Sequence, residues 1–193
     1  MKKQAFKKMV KDFWYFLWED DSFLSWIVNV IIAFIIVKFL IYPGLGFALG
    51  TNYPVVAVVS SSMEHNSMNF DDWWEENGHW YDNRDITYKD FSNYKFSNGF
   101  NMGDIMVLKG IKPKDIKKGI VIVYSSENYM YPVIHRVTGI EKDEEMYYFE
   151  TKGDNNKVED FEMVKSSQLL GKAVLRMPYL GWVKIIFTKL IGG

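Results

Sequence analysis

Cysteine is absent from the 193 residues, which excludes disulfides, thiolate nucleophiles and cysteine-ligated zinc or iron–sulfur centres. Histidine occurs three times. Chemistry that needs a neutral base near pH 7 therefore draws on His65, His79 or His135. Neither charge dominates: 23 basic residues face 24 acidic ones, for a net charge of −1. A nucleic-acid binder would carry the basic excess that neutralises phosphates, so no nucleic-acid partner is expected. There is no glycine-rich phosphate loop and no internal repeat. With 24% charged residues and apolar periodicity, the chain is not wholly disordered. Its length fits one compact domain plus an anchor or tail.

One uncharged run stands out. From Ser22 to Val37 no residue is charged, and after Lys38 the chain stays apolar through Tyr42. About 20 apolar residues cross the hydrocarbon of a bilayer, so residues 22–43 are read as a transmembrane anchor, ended by Pro43, Gly44 and Gly46. Lys38, near that end, is placed to extend its ammonium to the interface. Ala48-Leu49-Gly50 has the small-x-small form of a cleavage site. The preceding residues 1–21, however, carry their own helical pattern of Phe6, Met9, Val10, Phe13, Trp14 and Leu17. This suits an amphipathic segment on a membrane face and favours a retained anchor. Lys2, Lys3, Lys7, Lys8 and Lys11 put the N-terminus in the cytoplasm and residues 51–176 outside it.

Beyond the anchor, Tyr53–Val59, Ile105–Leu108, Ile120–Tyr124, Val133–Ile140 and Met146–Thr151 are rich in Val, Ile and Tyr and separated by turn signals. The expected fold is mainly β, an antiparallel domain without a long amphipathic helix. Residues 66–101 form an insertion in it, acidic and dense in aromatics, able to supply a small core of its own. It reads equally as a partner- or substrate-facing lid and as a solvated decoration. Residues 177–193 are apolar but contain Pro178, Gly181, Lys184 and Lys189. They are read as a C-terminal amphipathic, membrane-associated segment, with a second crossing as the alternative.

Candidate chemistry is sparse. Ser60-Ser61-Ser62-Met63 follows the first strand, where a serine can be held rigidly toward a substrate; a plain turn has the same composition. In Val133-Ile134-His135-Arg136-Val137, strand alternation puts Val133, His135 and Val137 on one face and Ile134 and Arg136 on the other. The loop Thr151–Asp160 carries Asp154, Asn155, Asn156 and Asp160, which are oxygen ligands, yet without EF-hand spacing.

Taken in order, these segments resemble type I signal peptidases of the archaeal and endoplasmic-reticulum type. The matching boxes are Ser60-Ser61-Ser62-Met63-Glu64, Gly103-Asp104-Ile105, Ile134-His135-Arg136-Val137 and Lys152-Gly153-Asp154-Asn155-Asn156, within roughly residues 55–181. Two positions depart from the family's pattern. Ser61 stands for the usual glycine, and His65 for the proline after Met-Glu, which leaves His65 as a second histidine near Ser62.

The resemblance implies a signal-peptidase-like β fold and a membrane-bound serine endopeptidase that removes signal peptides from secreted preproteins. It implies Ser62 as nucleophile, His135 as general base, Asp160 as the acid completing the triad and Asp154 as a second important acid. The Ser62 backbone N–H and the Ser60 hydroxyl would hold the oxyanion. No metal or other cofactor is implied. Expected partners are preproteins, the lipid bilayer, and the Sec translocon or accessory subunits, in a cell or endoplasmic-reticulum membrane. Two other readings remain at this point: an inactive membrane-anchored scaffold or signal-peptide binder, and a binding protein working through residues 66–101.

Overall fold

A computed structural model of the chain describes residues 2–144, 146–182, 185 and 186. It contains two units, residues 1–45 and 46–193.

In the first unit, α1 (Lys2–Trp18) is followed by α2 (Phe23–Ile36). Ser22 caps α2 by accepting from the Ser25 N–H. The polar side chains within the apolar helix are used at this junction. Ser25 Oγ donates to the Phe16 carbonyl and Asn29 Nδ2 to the Leu17 carbonyl at 2.8 Å, satisfying the last carbonyls of α1.

The helix does not stop at Pro43. It passes through a wide π turn, Val37–Ile41, into α3 (Tyr42–Leu49), giving 27 helical residues (Phe23–Leu49). That is long and apolar enough to cross a membrane. The π turn explains the continuation. The Tyr42 N–H reaches back to the Val37 carbonyl, and this widening one residue before Pro43 makes room for a ring that would otherwise clash with the carbonyl four residues back. Lys38 consequently lies well inside the helix, with its ammonium over the Phe34 and Phe39 rings at 5.5 and 5.4 Å.

The second unit is built on one seven-stranded antiparallel sheet in the order β1-β2-β7-β3-β4-β5-β6. Its strands are β1 (Val55–Ala57), β2 (Ile105–Lys109), β3 (Val121–Tyr124), β4 (Val133–Asp143), β5 (Met146–Lys152), β6 (Val164–Lys165) and β7 (Leu169–Met177). β1 is shorter than its apolar run, and β4 is longer. β7, between β2 and β3, has no counterpart in the sequence reading. Its inward positions Gly171 and Ala173 are small, so its alternation carries little apolar signal. One face of the sheet buries Met106, Leu108, Val121, Val123 and Ile134 with Val58, Met63 and Phe100. The other buries Ile122, Tyr124, Val137, Phe149 and Val164. β4 alternates as its sequence requires: Ile134 joins the first cluster, and Val137 the second.

The insertion is helical, which corrects the expectation of a body without a long amphipathic helix. α4 (Phe70–Asp82) is capped by Asn69. α5 (Tyr88–Ser92) has a reciprocal cap between Thr87 and Asp90. Trp73, Tyr81, Ile86 and Phe91 bury one another as a third cluster, so the aromatics do form their own core. Of residues 177–193, β7 takes Met177 and the sheet's neighbour Gly103 supports Trp182. The expectation for the rest of that tail falls largely on positions 183, 184 and 187–193, outside the described residues.

Candidate active site

β1 leads directly into the serine segment. The Val58 N–H bonds the Asp104 carbonyl, and Gly103 N–H the Val58 carbonyl. Asp104 itself is buried, accepts from the Asn101 and Tyr179 N–H groups and pairs with Arg176. The Gly-Asp box thus braces the segment rather than facing a substrate. After Val59 the chain turns, with Glu64 N–H on the Ser61 carbonyl at 3.0 Å. Met63 is fully buried, and its carbonyl accepts from Phe100 N–H. This leaves Ser62 half-buried at the turn.

A second segment, residues 152–156, grips the turn from below. Asn155 N–H donates to the Ser62 carbonyl at 2.8 Å, and Asn155 Nδ2 to the Ser61 carbonyl at 3.1 Å. Gly153 permits this approach, because a Cβ there would lie 2.7 Å from the Ser62 carbonyl oxygen.

Above the turn three groups converge. Ser62 Oγ lies 3.0 Å from His135 Nε2, and His135 Nδ1 lies 2.6 Å from Asp160 Oδ2. The same carboxylate oxygen accepts from Thr151 Oγ1 at 2.6 Å and from Tyr124 OH at 3.0 Å. Burial pushes the Asp160 carboxyl up, but the bond and charge of His135, with Thr151 and Tyr124, outweigh it and hold the carboxyl below its ordinary value. An ionised carboxylate only accepts, so His135 Nδ1 donates to it, and in the neutral ring the lone pair then lies on Nε2, toward Ser62. Such an arrangement can remove a hydroxyl proton as the oxygen attacks an electrophile. Ser60 Oγ is 3.1 Å from Ser62 Oγ. Beside them opens a cleft of about 370 Å³, lined on its apolar side by Ala57, Val59, Tyr131, Pro132, Val133 and Ile134.

The remaining candidates lie elsewhere. Asp154 makes none of these bonds. It is fully buried and takes Arg136 Nε at 2.9 Å and Nη2 at 2.6 Å, His65 Nε2 at 3.3 Å and Tyr81 OH at 3.3 Å. Burial raises its carboxyl, and the guanidinium and His65 more than reverse that, leaving it far below the usual carboxylate range. His65 is stacked on Trp73 at 3.8 Å and is 3% exposed. It is committed to Asp154, not to Ser62. His79 is exposed on α4, next to Asn83. Asp154 and Asp160 of the loop 151–160 thus face cations or histidine of the chain itself, in two separate places.

Sequence reasoning missed Tyr124, Thr151 and Lys152. Tyr124 was detectable in principle, because alternation along β3 puts it on the His135 side of the sheet, opposite Val133 in register. Lys152 is buried with its ammonium over the Trp80 and Tyr81 rings at 5.0 and 4.9 Å. Burial pushes it down to about 8.

No family model matches the chain. It is 29% identical over 157 residues to the signal peptidase complex catalytic subunit SEC11C of Homo sapiens, an alignment covering 77% of this chain and 65% of that protein. It is 29% identical over 155 residues to the corresponding subunit sec11 of Schizosaccharomyces pombe, covering 76% and 74%. With SEC11 of Scheffersomyces stipitis the identity is 26% over 159 residues, covering 78% and 75%. The chain therefore spans about two thirds, at 65%, of the length of the mammalian relatives it matches. The homologues of this chain are the catalytic subunits of signal peptidase complexes, of the endoplasmic-reticulum type that its ordered boxes resemble.

Proposed function

We propose that the protein is a membrane-bound serine endopeptidase that removes signal peptides from preproteins. One observation carries this reading: the unbroken line Ser62 Oγ–His135 Nε2, His135 Nδ1–Asp160, at 3.0 and 2.6 Å, beside an open apolar cleft.

A preprotein would lie extended along the edge of the sheet at β1, with small side chains entering the cleft and its scissile carbonyl over Ser62. As Ser62 Oγ attacks the carbonyl carbon, its proton passes to His135 Nε2. Asp160 holds the ring and offsets its new positive charge. The negative oxygen formed on the carbonyl is held by the Ser62 N–H and the Ser60 hydroxyl; one such donor is typically worth about 100- to 1,000-fold in rate. Collapse of this intermediate breaks the peptide bond, and the proton moves from His135 to the leaving amine. Water, deprotonated by the same imidazole, then releases the signal peptide from Ser62. No cofactor enters these steps.

Asp154 acts from a distance, through Asn155, on the serine turn. The 27-residue helix would tether the enzyme in a cell or endoplasmic-reticulum membrane, with the N-terminus cytoplasmic and the β unit on the opposite side. Accessory subunits and the Sec translocon are the proposed neighbours, by analogy with the complex-forming relatives. The test is cleavage of a purified preprotein by the full chain in detergent. Wild type should produce the mature protein, while Ser62→Ala and His135→Ala should not. Equal cleavage by wild type and Ser62→Ala would reject the assignment.

A further inference from the structure

The helical insertion has a role that the hydrolytic steps do not use. We propose that α4 is a clamp on the strap 152–160 and that Tyr81 and Arg84 are positioning residues for the nucleophile turn and the orienting acid. This rests on the proposed peptidase reading.

The strap connects both halves of the site. At its start, Asn155 holds the carbonyls of Ser61 and Ser62. At its end, Asp160 holds His135, and Asp160 N–H closes the strap on the Thr151 carbonyl at 2.8 Å. No β-strand supports residues 153–160. α4 and its C-terminal extension grip the residue immediately before each of these functional contacts. Tyr81 OH donates to Asp154, next to Asn155, at 3.3 Å. Arg84 Nη2 donates to Glu159, next to Asp160, at 2.9 Å. At the start of the strap, Lys152 lies against the Trp80 and Tyr81 rings, and the Arg84 guanidinium stacks on the same Trp80 ring at 3.8 Å. The end of the insertion completes the support. The Lys95 and Phe96 carbonyls accept from Arg136, whose guanidinium pairs with Asp154 and lies over Phe91 at 4.5 Å.

The two grips differ in a useful way. Tyr81 is fully buried, so its removal disturbs packing as well as position. The Arg84–Glu159 pair is partly exposed, at 32% and 43%. A pair of that kind contributes little to stability, so its effect on rate reports position. Small displacements of reacting groups are costly in rate.

The experiment uses the full chain in detergent. It compares wild type, Tyr81→Phe, Arg84→Glu and the charge-swapped Arg84→Glu/Glu159→Arg, with kcat and KM for a preprotein and the low-field proton resonance of His135 Nδ1–H. Arg84→Glu should lower kcat about tenfold with KM within about twofold, shift the His135 resonance and leave the melting temperature nearly unchanged. The charge swap should restore rate and resonance. Tyr81→Phe keeps the ring over Lys152 and should lower kcat in the same direction. Wild-type kcat and an unmoved resonance in Arg84→Glu would overturn the clamp, as would losses that merely follow unfolding. If wild type itself fails to cleave, the peptidase reading falls, and the resonance alone still supports or rejects the clamp.

Discussion

The second unit contains two histidine–aspartate pairs with opposite fates. His135 and Asp160 stand at the edge of an open cleft, and one nitrogen of the ring remains free to face Ser62. His65 and Asp154 are sealed behind the same turn, under Trp73 and Tyr81, with the carboxylate saturated by Arg136. Residue type does not separate them. What does is whether the second ring nitrogen meets a hydroxyl and whether the pair opens on a cleft. In the open pair the acid, in the proposed mechanism, orients the base. In the sealed pair it neutralises a buried guanidinium, and its neighbour Asn155 bonds the Ser61 and Ser62 carbonyls.

Substitution at both pairs is the direct way to break this contrast. The largest effect belongs to the open one: Ser62→Ala and His135→Ala should each lower kcat for a preprotein by about 10⁴-fold or more. His65→Ala should keep most activity per folded molecule. The opposite ranking of the two histidines would exchange their roles. Next comes Asp160→Asn, which leaves His135 without the partner that sets its tautomer. It should cost about 10⁴-fold in kcat with the melting temperature near wild type.

Asp154→Ala sharpens the contrast from the other side. It strands a buried Arg136 and should lower stability by about 3–5 kcal/mol in denaturant unfolding. Its fractional loss of kcat per folded molecule should be smaller than that of Asp160→Asn.

A weaker effect is expected with pH. Both carboxyls are held below their ordinary value of 3.8, so the folded state binds fewer protons than the unfolded chain at acid pH. Their stabilisation is complete above that value and is lost as pH falls below it toward the lowered values. Unfolding measured against pH should steepen below about pH 4, and Asp154→Ala should flatten that limb. The smallest effect is that of His79→Ala. The side chain is exposed and, among the described residues, bonded to Asn83, and both rate and melting temperature should match wild type.

Much of the site was legible in local pattern. The serine box lay after an apolar run, and period-two alternation placed His135 on a defined face of β4. The acids were visible in a turn-rich loop. Their different jobs were not, because Asp154 and Asp160 are six residues apart with similar neighbours. Only the packing of Arg136 from β4 and Tyr81 from α4 distinguishes them. Pro43 misled for a related reason: a proline ends a regular α-helix, but a π turn just before it lets this helix run on to Leu49. β7 was hidden by small inward side chains, and the helical form of α4 by a composition that reads only as an acidic, aromatic insertion until Asn69 and the Trp73–Tyr81 stripe are placed together.

By itself the sequence determined the apolar helix, the antiparallel β character, the absence of thiol chemistry and the short roster of groups able to move a proton near neutrality. These are properties of composition and local period, which need no distant partner. Tertiary structure alone decided which histidine meets Ser62, which acid bonds that histidine and what the insertion touches. Such pairings join residues 25 to 89 positions apart, and no local pattern encodes a distance of that kind.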